Sequence, residues 1–298
     1  MKKIIFVLIV AVLALVLLPA RAEKALPLPI SDDPGYEVDP ANYLSDTHYL
    51  DDTLEVTITT DRHLDSDVWL ADVRIADASQ LRSAFCGSYT SGKTAGAQRI
   101  ARRVNAVFAV NGDYYSYHFD RGVVIRNGKQ YRRRPDGESD VLLVDTNGDL
   151  TCAIAPTKEE FDALCEQMGG TVEEGGTILH ALTFGPALIV NGESAHERFT
   201  RPDNGHLKPA QRTVFAQLEP LHYLIVSCSG PESADSRGMT LDEMAAYVQG
   251  LGVRTAYNLD GGSSSTLVFA GEKINSLDTG KVRPVSDILY FSTGIEAN

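Results

Sequence analysis

The sequence predicts an α+β domain, a mixed and largely antiparallel β-sheet core with two or three packed helices. Three observations carry that expectation. After Thr47 most apolar residues recur with the two-residue period of strands. Asn-Gly pairs at 127–128 and 147–148 sit between such runs and are strong hairpin signals. Few segments have helical spacing, and they do not alternate with strands as a doubly wound sheet requires.

The elements follow in order. Residues 54–60 (LEVTITT) alternate, and 67–76 (DVWLADVRIA) follow a short polar turn, which predicts antiparallel neighbours. Residues 93–105 place Ala97, Ile100, Ala101 and Val104 on one helical face. A buried-type strand at 106–115 runs into Asn111-Gly112, and 122–130 and 139–154 carry the two hairpin signals, so 106–154 reads as a β-meander. Thr157 and Glu160 form a capping box for a helix through Phe161, Leu164, Cys165 and Met168 that stops at Gly169-Gly170. Residues 178–194 read as two strands broken at Gly185-Pro186, and 212–230 as a hairpin. Thr240 and Glu243 make a second capping box, opening a helix whose apolar face is Met244, Ala245, Val248 and Leu251. Strands at 254–260, 265–274 and 282–291 complete the domain, 47–298.

Two segments precede it. Lys2 and Lys3, an apolar run from Ile4 to Leu18 and Ala20-Arg21-Ala22 give residues 1–22 the form of a signal peptide cleaved before Glu23. If it is retained, it is an anchor and the only membrane contact. In either case the rest of the chain is secreted or extracytoplasmic. Residues 23–46 are rich in proline and acid without a period and read as a linker or wrapping arm.

A formal net charge of −13 argues against nucleic-acid and anionic membrane partners. It leaves room for an anionic small substrate held by local arginines. Cys86, Cys152, Cys165 and Cys228 are even in number in an oxidising compartment, so disulfides are permitted, but their irregular spacing assigns no pairing. No nucleophile elbow, P-loop, dinucleotide fingerprint or paired-histidine zinc motif occurs. The seven histidines are scattered. Neither a metal nor a cofactor is expected.

Three apolar strands end in a polar residue or glycine: AVFAVNG with Asn111-Gly112, ALTFGP with Gly185-Pro186, and AYNLDGG with Asp260-Gly261-Gly262. With them come Arg212-Thr213, Arg237-Gly238 in SRGMTLDEMA, and Arg283 with Ser286 in VRPVSDILY. In this order, from about Ala84 to Gly294, the chain resembles the phosphodiester glycosidase family. The specific element is Asn-Leu-Asp-Gly-Gly-x-Ser preceded by Arg-Gly-x-x-Leu-x-Glu-x-Ala. Ser263 stands where the family has a third glycine or small residue. Asp113 occupies a position that is often glycine, so it is not assigned to the motif.

The resemblance implies hydrolysis of a sugar-1-phosphodiester at the anomeric carbon, with a sugar-phosphodiester or cell-surface glycan as substrate. A phosphate monoester leaves readily, so general-acid help is less essential than for an ordinary glycoside. The catalytic candidates are Asp260, Arg283, Arg212 and Glu243. Arg212 and Arg283 suit phosphate through the two-pronged guanidinium; otherwise each is a surface ion pair. Asp260 is base, nucleophile or electrostatic stabiliser, or else a turn aspartate. Glu243 is the competing carboxylate, with its helix cap as a sufficient structural reason.

The substrate-binding candidates are Asn111, Gly112, Tyr115, Gly185, Thr213, Arg237, Gly261, Gly262 and Ser264. Asn111 either meets a sugar hydroxyl or caps its turn. Tyr114 and Tyr115 either line a sugar face or pack in the core. Arg132 to Glu138 reads as a solvated basic hairpin tip. Two other classes fit the same residues, a non-catalytic polysaccharide-binding module and a phosphodiesterase that cleaves P–O.

Overall fold

A computed structural model describes residues 27–195, 208–231, 233, 235–275 and 282–296. The expected export segment, 1–22, lies outside the described residues. The chain opens with β1 (Tyr43–Ser45), β2 (His48–Leu50), β3 (Leu54–His63) and β4 (Ser66–Ile75). β5 (Leu81–Phe85), α1 (Ala97–Arg103) and β6 (Phe108–Asn111) follow. Two hairpins come next, β7 (Gly122–Arg126) with β8 (Lys129–Arg134) and β9 (Val141–Asp145) with β10 (Leu150–Ala153). Then come α2 (Lys158–Gln167), β11 (Ile178–Thr183), β12 (Ala187–Val190) and β13 (Glu193–Ser194). The hairpin β14 (Arg212–Glu219) and β15 (His222–Cys228) leads to α3 (Leu241–Gly250) and β16 (Thr255–Asn258). β17 (Leu267–Phe269), β18 (Glu272–Lys273) and β19 (Asp287–Phe291) close the chain.

These strands form three sheets, in the orders β1-β2-β3-β4-β15-β14-β16-β12-β13, β10-β9-β11-β7-β8 and β18-β17-β6-β19-β5. The pairings between strands are antiparallel, as expected; Thr171 adds one parallel bridge to Ile178 at the start of β11. Alternation builds the inner core. Leu54, Val56 and Ile58 pair with Ile75, Val73 and Ala71 and point inward. They meet Leu142 and Val144 of the second sheet and Phe108 and Phe291 of the third. Each sheet has one helix packed on its outer face. Met244, Ala245 and Val248 of α3 pack on the first sheet, Phe161 and Cys165 of α2 on the second, and Ile100 and Ala101 of α1 on the third. Both expected capping boxes are present, at Thr157/Glu160 and Thr240/Glu243.

The meander expected over 106–154 is not formed. β6 belongs to the third sheet, and β11 inserts between the two hairpins of the second. All six residues of β11 are buried, so the strand takes a partner on each side, β9 and β7. Asn127-Gly128 makes the expected tight hairpin, with φ of 49° and 73°.

Ahead of β1, the Leu28 N–H bonds the Ser79 hydroxyl, and Arg82 donates to the carbonyls of Pro29, Ser31 and Asp33. Cys86, Cys165 and Cys228 form no disulfide. Among the described residues no helix is long and apolar enough to cross a membrane.

Candidate active site

The ends of β6 and β16 meet, and Asn111 joins them. Its amide nitrogen donates to the Asp260 carbonyl at 2.8 Å and the Gly112 carbonyl at 3.1 Å, and its oxygen accepts from the Thr266 N–H at 3.0 Å. The side chain is fully buried and bonds backbone at each polar atom. It fixes the start and end of the loop that carries Asp260, where the sequence left it between a sugar contact and a turn cap.

That loop is a tight polar turn. Ser264 N–H bonds the Gly261 carbonyl and Ser265 N–H the Gly262 carbonyl. Gly262 has a φ of 60°, and a side chain on Gly261 would meet the Gln211 carbonyl at 2.8 Å. The Asp260 side chain is 17% exposed and lies 3.9 Å from Arg283 Nη1. Arg283 is held over the loop by its own N–H, bonded to the Ser263 carbonyl at 2.9 Å. Burial pushes the Asp260 carboxyl above the usual range, and Asp113 adds to this; the Ser264 hydroxyl and Arg283 oppose it.

Under the loop lies a buried cluster that the sequence reading missed. Arg126, at the end of β7, has no solvent exposure; its Nε is 2.8 Å from Asp287 Oδ2 and its Nη2 is 3.2 Å from Asp113 Oδ2. Nη1 donates to the carbonyls of Ile125 and Ala181. Asp113 accepts the Tyr115 and Thr183 backbone N–H groups. One guanidinium therefore faces two carboxyls in a medium that penalises net charge. Burial pushes Asp287 up to about 7, Asp113 and Asp260 add to the rise, and Arg126 opposes it. The Asp287 carboxyl also explains Gly112, because a Cβ there would lie 2.3 Å from Asp287 Oδ1. The available signal was a charged residue closing the apolar run GVVIR and another opening DILYF.

The other candidates are placed as follows. Tyr115 is buried, with Arg126 and Arg132 5.8 Å and 5.9 Å from its ring centroid. Tyr114 stacks on Phe184 at 4.8 Å, and its phenol is raised by burial and by Asp260. Gly185 faces the Tyr257 ring, which a Cβ would approach to 2.9 Å, and its carbonyl accepts from Asn258. Arg212 is 9% exposed and donates to the Met239 and Lys208 carbonyls, so its guanidinium also organises the chain around the site. Thr213 is buried with its hydroxyl unbonded, and its carbonyl accepts from Leu259 N–H.

Glu243 accepts both arms of Arg237, at 2.8 Å and 3.0 Å, and the Thr240 N–H. The pair serves the start of α3. The expected solvated tip at 132–138 is corrected in part. Arg132 is buried, donating to the Tyr115 and His118 carbonyls, and Arg133 pairs with Asp162 at 2.7 Å. Among the described residues no group of three His, Cys, Asp or Glu side chains is arranged to hold a metal.

The profile of the phosphodiester glycosidase family matches residues 104–292, which contain the whole of this arrangement. The chain belongs to the phosphodiester glycosidase family. No curated protein matches it. Among solved structures it is similar to the catalytic domain of zebrafish N-acetylglucosamine-1-phosphodiester alpha-N-acetylglucosaminidase, auto-inhibited by its pro-peptide. That match has a TM-score of 0.65 and 18% identity over 91% of this chain and 99% of that one. A hypothetical protein from Synechocystis matches with a TM-score of 0.54 and 15% identity, over 80% of this chain and 62% of that one. A Burkholderia pseudomallei K96243 protein described as exported matches at 0.50 and 16%, over 76% and 74%. At these identities the solved structures establish the fold. The phosphodiester glycosidase profile spans Asn111, Asp260 and Arg283 alike, and so also Asp113, Arg126 and Asp287.

Proposed function

We propose that this phosphodiester glycosidase hydrolyses the C1–O bond of a sugar-1-phosphodiester in an extracytoplasmic glycan or glycoconjugate. The observation that carries the reading is the pairing of Asp260 with Arg283 at the mouth of a backbone turn. A mostly buried carboxyl with a raised pKa faces a guanidinium that remains 46% exposed. The exposed guanidinium suits a phosphate, to which it can donate two parallel hydrogen bonds. Asp260 takes a proton from water as the water oxygen adds to C1. The C1–O bond breaks with its electron pair going to the phosphate monoester, which leaves without needing an acid. Gly262, where a Cβ would meet no described atom within 4 Å, leaves space over the turn, and Asn111 and Arg212 hold the surrounding chain. The zebrafish enzyme's name and the exported Burkholderia relative support the substrate class and the location.

Hydrolysis of a sugar-1-phosphodiester in oxygen-18 water tests this. The label should enter the anomeric hydroxyl of the released sugar. Label in the phosphate would make the protein a P–O-cleaving phosphodiesterase. Saturable binding without product would make it a polysaccharide-binding module.

A further inference from the structure

We propose that a groove beside α1 is a second anion-binding site, which holds phosphate groups of a phosphodiester-linked chain extending from the candidate active site. The groove has a volume of about 720 Å³, and Lys93, Arg99, Arg102 and Arg103 line it together with Cys86–Gly87 and Thr94–Ala95. No acid is among the described residues that line it. That is a local reversal in a chain with 40 acidic and 27 basic residues. Such a reversal creates a positive field inside an acidic exterior, which attracts anions locally.

The cations are arranged by the helix. Arg99, Arg102 and Arg103 have the i, i+3, i+4 spacing that gathers side chains on one helical face. The opposite face, with Ala97, Ile100, Ala101 and Val104, is buried against the third sheet. Several exposed arginines have carboxylate partners, for example Arg62 with Asp67 and Arg237 with Glu243, while Arg134 and Arg254 have none among the described residues. In the groove Arg102 is anchored by the Gly271 carbonyl and Glu272, and Arg103 by the Phe85 carbonyl. Lys93 and Arg99 are exposed and have no carboxylate partner among the described residues.

The wall of the groove is tied by backbone hydrogen bonds to the segment that carries Arg283. Ala95 exchanges both backbone hydrogen bonds with Val285, at 3.1 Å and 2.8 Å, and Cys86 N–H bonds the Ser286 carbonyl at 2.7 Å. Val285 is two residues from Arg283, a chain distance of about 7 Å at most. In this proposal a polymer with its scissile phosphate at Arg283 lays its following phosphates along these cations. The choice of a phosphodiester chain as occupant rests on the sugar-phosphodiester reading; the positive groove does not.

The test uses a synthetic oligomer of glycerol phosphate, which has phosphodiesters but no sugar C1–O bond to cleave, titrated calorimetrically into the purified protein. The oligomer should bind more tightly than glycerol phosphate itself and weaken as salt is raised. The double variant Lys93→Ala/Arg99→Ala should bind the oligomer at least tenfold more weakly, with an unchanged melting temperature because neither side chain has an ion-pair partner among the described residues to lose. Absence of oligomer binding, or equal affinity in the variant, overturns the proposal. Tighter binding to phosphatidylglycerol vesicles through the same two residues would assign the groove to a lipid surface and overturn the ligand class. Because no hydrolysis is read, failure here leaves the proposed reaction standing, and failure of the reaction leaves the binding result intact.

Discussion

Arg126 Nε lies 2.8 Å from one oxygen of Asp287, while the other Asp287 oxygen has no hydrogen-bond partner among the described residues. Both side chains are closed to water. With Asp113 on the same guanidinium, the cluster is best neutralised when Asp287 keeps a proton. Its folded-state pKa, about 7, lies above that of an unfolded aspartate, about 3.9. The native state therefore holds an extra proton between those values. The stability this contributes is complete below the unfolded pKa and is lost as pH rises through about 7. Denaturant melts of wild type and Asp287→Asn across this range should diverge. The wild type should lose roughly 1 kcal/mol per pH unit relative to the variant. Parallel curves would show that Asp287 does not titrate there.

Gly112→Ala should destabilise the fold by about 1–3 kcal/mol, the usual cost of overpacking. The added methyl would sit 2.3 Å from Asp287 Oδ1 and 2.7 Å from its Cγ, so a buried carboxyl must move. Urea denaturation measures this; near-wild-type stability would mean that Asp287 yields freely.

Asp260→Asn should lower kcat and kcat/KM together by at least about a hundredfold, or roughly 2.7 kcal/mol of transition-state stabilisation. The melting temperature should hardly change, since the loop is held by backbone bonds and by Asn111. Because the carboxyl is raised above the usual range, wild-type turnover should rise with pH through that shifted value. A turn aspartate would tolerate asparagine with little kinetic effect.

Arg283→Lys should keep stability within about 0.5 kcal/mol, because the side chain is nearly half exposed. Turnover should fall much further, since lysine retains charge but not the planar fork that matches a phosphate. Steady-state kinetics beside a thermal melt separates the two effects. Wild-type kinetics would leave Arg283 as an ion-pair partner only.

Glu243→Ala should show the opposite profile. The capping box and the Arg237 pair are lost together, at a cost of about 1 kcal/mol. Kinetic changes should be modest. A hundredfold loss of kcat here, without one at Asp260, would reassign the reacting carboxylate.

What the sequence determined by itself depended on contacts between near neighbours. The capping boxes at Thr157 and Thr240, the tight turn at Asn127-Gly128 and the β3–β4 hairpin follow from local geometry and alternation. The loop at Asp260 was legible for the same reason, as a carboxylate and two glycines ending an apolar strand. Tertiary structure alone decided what lay beneath it. Arg126 precedes a hairpin turn, where a charged residue ordinarily faces water, yet it pairs with Asp287, 161 positions away. Its burial exists only after the three sheets have closed on one core. The placement of β11 between two hairpins, and the commitment of Asn111 to backbone 149 residues away, are of the same kind. Desolvation and long-range pairing belong to the assembled molecule, because a residue's neighbours along the chain do not specify which distant groups will exclude water from it.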